Sequence, residues 1–312
     1  VNTIIKIRHV FNKILIRAQK RLLPNIPAGY AMDQMVFLAY DGSINADWIS
    51  RYAMHMASNS SGKKLGIFHV LDGVTPLAKI QAKLETIKNE CRYHGVDFTS
   101  ESLRMDTTVY NTLLKAIPAG DEIYCLCGLR TSSMGKGFLA GTISEQLLRC
   151  KRFNVLAIRV VNPGLLGCPA DILFPLAGHP RGFQTAMPFF MMLAPSVHKL
   201  QVLRIMCVNP LWFRYMSASA VNRRLRRGED YVRMVIDEIR EETDVKGLHL
   251  DSGVVLSDDW AKEVIIQASK LRNQMILLGA SDRSLPSRFF YGNKIEQILR
   301  KTPCDVGIYR KI

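Results

Sequence analysis

Two glycine-bearing turns in the first half of this 312-residue chain could between them hold a small anionic ligand. Asp41-Gly42-Ser43 follows the apolar run Met35 to Tyr40, and Gly128-Leu129-Arg130-Thr131 follows the run Glu122 to Cys127. Thirteen positions beyond Gly128 stands Gly141, with Thr142, Ile143 and Ser144 opening a predicted helix. Glycine lets backbone approach a phosphate closely, and amide and hydroxyl donors at a helix N-terminus favour an anion. A carboxylate such as Asp41 accepts hydrogen bonds from an adenine amino group or from ribose hydroxyls. Together with Val70, which closes a third apolar run from Leu65, these residues describe a nucleotide pocket.

Other chemistries find no matching pattern. Gly135-Lys136-Gly137 fails the Gly-x4-Gly-Lys-Ser/Thr phosphate loop, because Gly137 stands at the hydroxyl position. The seven histidines show no metal-ligand spacing with one another, with cysteine or with acids, and no Gly-x-Ser-x-Gly elbow is present. No catalytic residue is assigned and no enzyme is expected. Seven scattered cysteines without a framework spacing fit a reducing, cytosolic setting. Cys125 and Cys127 are expected on opposite faces of one strand, in packing roles and without a shared metal.

Such turns need a scaffold that brings strand ends together. From Met35 the chain alternates apolar runs with helical stretches, the pattern of a parallel sheet covered by helices. Ligands of such sheets bind beyond the carboxyl ends of the strands, where strand order reverses, and the turns above follow strands one, two and four. Asn162-Pro163-Gly164 interrupts the pattern, which begins again at Asp171. The Gly128 to Arg149 segment recurs as Gly279 to Arg300, with two glycines thirteen apart and Glu-Gln-apolar-Leu-Arg at the same offset. The expected organisation is an N-terminal segment over 1–32, a first α/β domain over 33–163 and a second over 164–312. In the second copy Ala177 replaces Asp41, Asp282 replaces Thr131 and Asn293 replaces Thr142. An aspartate facing phosphate repels it, so the second domain is expected to be empty.

The Asp-Gly-Ser after strand one, the His-Val ending strand two and the glycine-rich loop before the last helix resemble the universal stress proteins. The resemblance covers nearly the whole chain from Asp33. It implies two tandem domains of adenine nucleotide α-hydrolase-like fold, each a mostly parallel five-stranded sheet with helices on both faces, their last strands meeting edge to edge. It also implies that Asp41 and Val70 contact adenosine, while Gly128, Thr131, Gly141, Thr142 and Ser144 hold phosphates. Gly42, Ser43, Arg130 and Ile143 complete the candidate set. Thr131 departs from the family pattern, which has glycine there; its Cβ crowds a triphosphate and leaves AMP, ADP or a different loop path. ATP or AMP is the expected ligand, and none is required for the fold.

Charge and the chain's N-terminal segment bear on partners. The formal charge is +15 and the mean hydropathy +0.04, which mark a folded protein attracted to acidic partners. Residues 1–23 place Ile4, Ile7, Phe11, Leu15, Ala18 and Leu22 at helical spacing among lysines and arginines, a basic amphipathic helix able to lie on an anionic membrane or pack on a partner. A second basic tract, Asn209 to Asp230, joins Trp212, Phe213 and Tyr215 to five arginines. Stacking on single-stranded nucleic acid is the weaker reading of it; a solvated helix or a loop docking on a partner protein is the stronger. The expected setting is the cytoplasm, at the inner face of a membrane, with a homodimer or a transporter as partner.

Overall fold

The computed structural model describes residues 33–71, 73, 75–129, 138, 139, 141–176, 182–213, 215–242, 247–280 and 294–312. The N-terminal amphipathic helix expected over 1–23 lies outside them. Gln34–Ile312 forms one compact unit. Its strands are β1 (Met35–Ala39), β2 (Lys64–Leu71), β3 (Asp97–Arg104), β4 (Gly120–Gly128), β5 (Phe153–Arg159), β6 (Asp171–Leu176), β7 (Lys199–Cys207), β8 (His249–Ser257), β9 (Met275–Gly279) and β10 (Asp305–Arg310). They make a single sheet in the order β3-β2-β1-β4-β5-β10-β9-β6-β7-β8. Every pairing is parallel except β5 with β10, where Val306 faces Arg159 and Arg310 faces Val155. Two five-stranded halves thus meet through their last strands, as the resemblance implied.

Helices cover both faces. One face carries α1 (Ile44–Asn59), α2 (Leu77–Tyr93), α5 (Gly182–Leu193) and α7 (Ala218–Glu242); the other carries α3 (Val109–Ala116), α4 (Ile143–Arg149), α8 (Trp260–Lys270) and α9 (Lys294–Lys301). A single-turn helix, α6 (Pro210–Phe213), precedes α7. Each face's core runs without a break from one half into the other: Tyr124 of β4 packs edge-on against Phe189 of α5 at 5.5 Å between ring centroids. Asn59 at the end of α1 donates to the Met192 carbonyl at 2.9 Å. The edge strand β3 is polar and largely exposed, which blunts pairing with another sheet.

One sequence expectation is borne out and one changes. The basic tract takes the solvated-helix reading from Ala218 on, because it is rich in good helix formers and Ser217 caps it by accepting from the Ala220 amide at 3.3 Å. Gly228 lies where this helix meets the sheet, and a Cβ there would stand 2.4 Å from Val254 Cγ1. Cys125 and Cys127 lie on the same face, in one cluster with Phe37 and Leu113, since a period of two returns every second residue to one side. Their packing role stands: both are buried, and burial pushes the Cys127 thiol up to about 12.

Candidate functional site at the first strand-order reversal

The chain leaves β1 toward β2 and β3, then returns to the other side for β4 and β5, so the carboxyl ends of β1 and β4 flank a switch point. At the end of β1, Asp41 is exposed and its Oδ1 accepts from the Ser43 amide at 2.9 Å, an Asx turn. Gly42 has φ +76°, and a Cβ there would meet Ile80 Cδ1 at 2.2 Å, so the fold needs glycine at this position whatever binds. Ser43 caps α1 by accepting from the Ala46 amide at 3.2 Å. Beneath the turn, Lys83 Nζ donates to Asp47 Oδ2 at 2.6 Å and to the Gly42 carbonyl at 2.8 Å. The Tyr40 hydroxyl also donates to Asp47; burial first, then that carboxylate, push the phenol well above its usual range.

Gly128 ends β4 beside this turn. A Cβ on it would lie 2.9 Å from Asn45 Nδ2 and 3.0 Å from Ile49 Cδ1, so the missing side chain lets α1 seat on the strand. Asn45, in the first turn of α1, therefore stands between the two strand ends. Neither Asn45 nor Lys83 was singled out from sequence; an amide four residues beyond Asp41 was the available signal for the first, and Lys83 carried none. Val70 is buried in the core near the end of β2, and next to it His69 places Nδ1 2.9 Å from the Tyr40 carbonyl oxygen.

Beyond the strand end, Arg130 and Thr131 lie outside the described residues. Gly141 is exposed with φ +74°, and Thr142 caps α4, accepting from the Glu145 amide at 3.2 Å. The Thr142 hydroxyl donates to the Leu139 carbonyl at 2.7 Å and stands 3.0 Å from the Ser144 hydroxyl. Glu145 reaches back to accept from the Gly141 amide at 2.8 Å, which closes a variant of the capping box. The amide of Gly141 and the hydroxyl of Thr142, both expected to meet phosphate, are thus partnered within the chain. Ile143 is half-buried and Ser144 buried.

The second half reaches into this loop. Glu296 of α9 accepts from the amides of Phe138 at 3.0 Å and Leu139 at 2.7 Å. The Arg159 guanidinium lies 4.5 Å from the centroid of the Phe138 ring. Nearby, the fully buried Asp305 accepts from the Val161 and Asn162 amides at 2.7 and 2.8 Å and from the Tyr52 hydroxyl at 2.6 Å. Burial raises the Asp305 carboxyl despite these donors and the Arg159 charge, all of which act downward. In the second copy, Ala177, Asp282 and Asn293 lie outside the described residues, whereas a Cβ on Gly279 would stand 3.0 Å from the Tyr309 hydroxyl.

Two cavities lined by described residues lie away from this place. A groove of about 750 Å³ between α1, α2 and the interdomain linker is lined by Arg51, His55, Tyr93, His94, Leu166 and Cys168. Burial and then His94, whose ring centroid is 5.2 Å away, lower the His55 pKa. A smaller cleft of about 440 Å³ runs between α7 and β8.

A continuous sheet of two parallel halves, covered on both faces and joined antiparallel through β5 and β10, defines a tandem α/β protein. Residues 212–310 match the universal stress protein family. That match places residues 212–310 with the universal stress protein family, while the rest of the chain shares the tandem α/β fold. A universal stress protein from Archaeoglobus fulgidus DSM 4304 is similar, with TM-score 0.56 and 15% identity over 88% of this chain and 95% of that one. A functionally unknown protein from Pseudomonas aeruginosa PAO1 gives TM-score 0.53 and 13% identity over 89% and 92%. No curated protein matched the chain. The family match lies within the second half. None of the described helices is long and apolar enough to cross a membrane.

Proposed function

We propose that this protein is a non-enzymatic regulatory or stress-response protein that binds one adenine nucleotide, at the β1/β4 switch point of its first half. The observation that carries the reading is the convergence there of the exposed Asp41 carboxylate, the Asn45 amide and Gly128 on adjacent strand ends. Asp41 is held by a backbone amide and so is oriented before any ligand arrives. AMP and ADP suit the site better than ATP, since the Gly141 amide and Thr142 hydroxyl already have partners and Glu145 places a carboxylate beside them. No catalytic step is assigned.

That same pairing of loop donors favours a second reading, a ligand-free regulatory or scaffold module of a membrane transporter or larger complex. Equilibrium binding of labelled AMP, ADP and ATP separates the two. Wild type is expected to bind AMP saturably, and Asp41→Ala to weaken it by roughly 10- to 100-fold, the worth of hydrogen bonds to a charged acceptor. Absence of saturable binding by wild type leaves the scaffold reading.

A further inference from the structure

We infer that the α6 turn and the first turns of α7 form a docking surface for anionic phospholipid headgroups. Leu211, Trp212 and Tyr215 are 75%, 71% and 85% exposed, three large apolar side chains within five residues. Scattered exposed apolar residues are ordinary, but a cluster of this kind marks a contact surface. The turn that presents them is fixed: Asn209 caps it by accepting from the Leu211 amide at 2.9 Å, and the Tyr215 amide donates to the Trp212 carbonyl at 3.1 Å. Ser217 then caps α7, whose opening turns expose Arg223, Arg224, Arg226 and Arg227. From Asn209 to Gly228 the sequence contains no acidic residue.

The form and chemistry of this patch select its occupant. Side chains exposed by seven-tenths or more stand out from the surface, so they suit a partner they can enter, whereas a peptide or a nucleic-acid strand is held in a groove. Tryptophan and tyrosine settle at the headgroup level of a bilayer, where an apolar ring and a polar tip are both satisfied. Arginines on the neighbouring turns supply the attraction to lipid phosphates and acidic headgroups. The tip begins directly after β7, so the surface belongs to the second half, away from Asp41 in the first.

The test uses the full chain and vesicles of phosphatidylcholine with or without phosphatidylserine. Wild type is expected to sediment with the serine-containing vesicles and to be released by salt, because exposed charges are screened. Trp212→Ala, and separately the fourfold arginine-to-glutamine variant at 223, 224, 226 and 227, should each weaken that binding by more than about tenfold. In a Trp48→Phe, Trp260→Phe background, Trp212 emission should shift to the blue on these vesicles and be quenched by brominated lipid. Equal sedimentation of wild type and both variants overturns the proposal and assigns any binding to residues 1–23. Unchanged Trp212 emission overturns it too, as does arginine-dependent binding of an oligonucleotide or acidic peptide without binding of vesicles.

Discussion

Replacing Asp305 by alanine is expected to cost about 3 to 5 kcal/mol of folding stability, the loss seen when one partner of a buried charged cluster is removed. The Val161 and Asn162 amides and the Tyr52 hydroxyl lose their common acceptor, and Arg159 is left without the carboxylate beside it. These groups come from both halves and the segment joining them, so the cost falls on the junction. Asp305→Asn should cost markedly less. The register that aligns Gly128 with Gly279 aligns Asn154 with Asp305, and Asn154 accepts from the Ile312 amide at 3.3 Å in the matching place. Urea denaturation of the three proteins measures the difference as a shift in midpoint.

The same substitution carries a pH signature. Burial holds the Asp305 carboxyl above its ordinary value of 3.8, so the folded protein binds this proton more tightly than the unfolded chain. The stability it lends is therefore full below that value and is lost as pH rises through the folded-state pKa. Asp305→Asn should flatten this part of the profile; an unchanged slope would show that another group produces it.

Replacing Glu296 by alanine should cost about 2 to 4 kcal/mol, because the Phe138 and Leu139 amides then have no acceptor and each orphaned buried donor costs about 1 to 3 kcal/mol. The more specific readout is hydrogen exchange. Both amides should exchange at least about tenfold faster in the variant, while the β1 and β2 amides keep their protection. If the first half binds nucleotide as proposed, affinity should fall with the same substitution, since the loop between Gly128 and Gly141 loses its tether. Equal exchange at residues 138 and 139 in both proteins would remove Glu296 from any role in ordering the loop.

Much of the architecture was legible in the sequence because parallel strands buried on both faces read as short apolar runs, and because the Glu-Gln-apolar-Leu-Arg repeat fixed the register of the two copies. For the start of α7 the sequence left a solvated helix and a docking loop open, since its first three turns are largely solvent-facing. The site was legible in its turns, where Gly42 and Gly141 announce left-handed backbone. It was not legible in its pairings. Thr142-Ile143-Ser144-Glu145 carries the capping-box spacing, but nothing in the spacing shows that Glu296, far along the chain, grips Phe138 and Leu139. That contact depends on how the halves meet, and antiparallel pairing of β5 with β10 is what brings α9 to the first half's loop.

The asymmetry of the halves is most directly tested by the number of nucleotides bound per chain, measured by equilibrium dialysis with labelled AMP at saturation. One per chain, with Asp41→Ala needing roughly 10- to 100-fold more AMP for the same occupancy, is the expected result. Two per chain, none, or one bound with unchanged affinity by Asp41→Ala would contradict a single site in the first half.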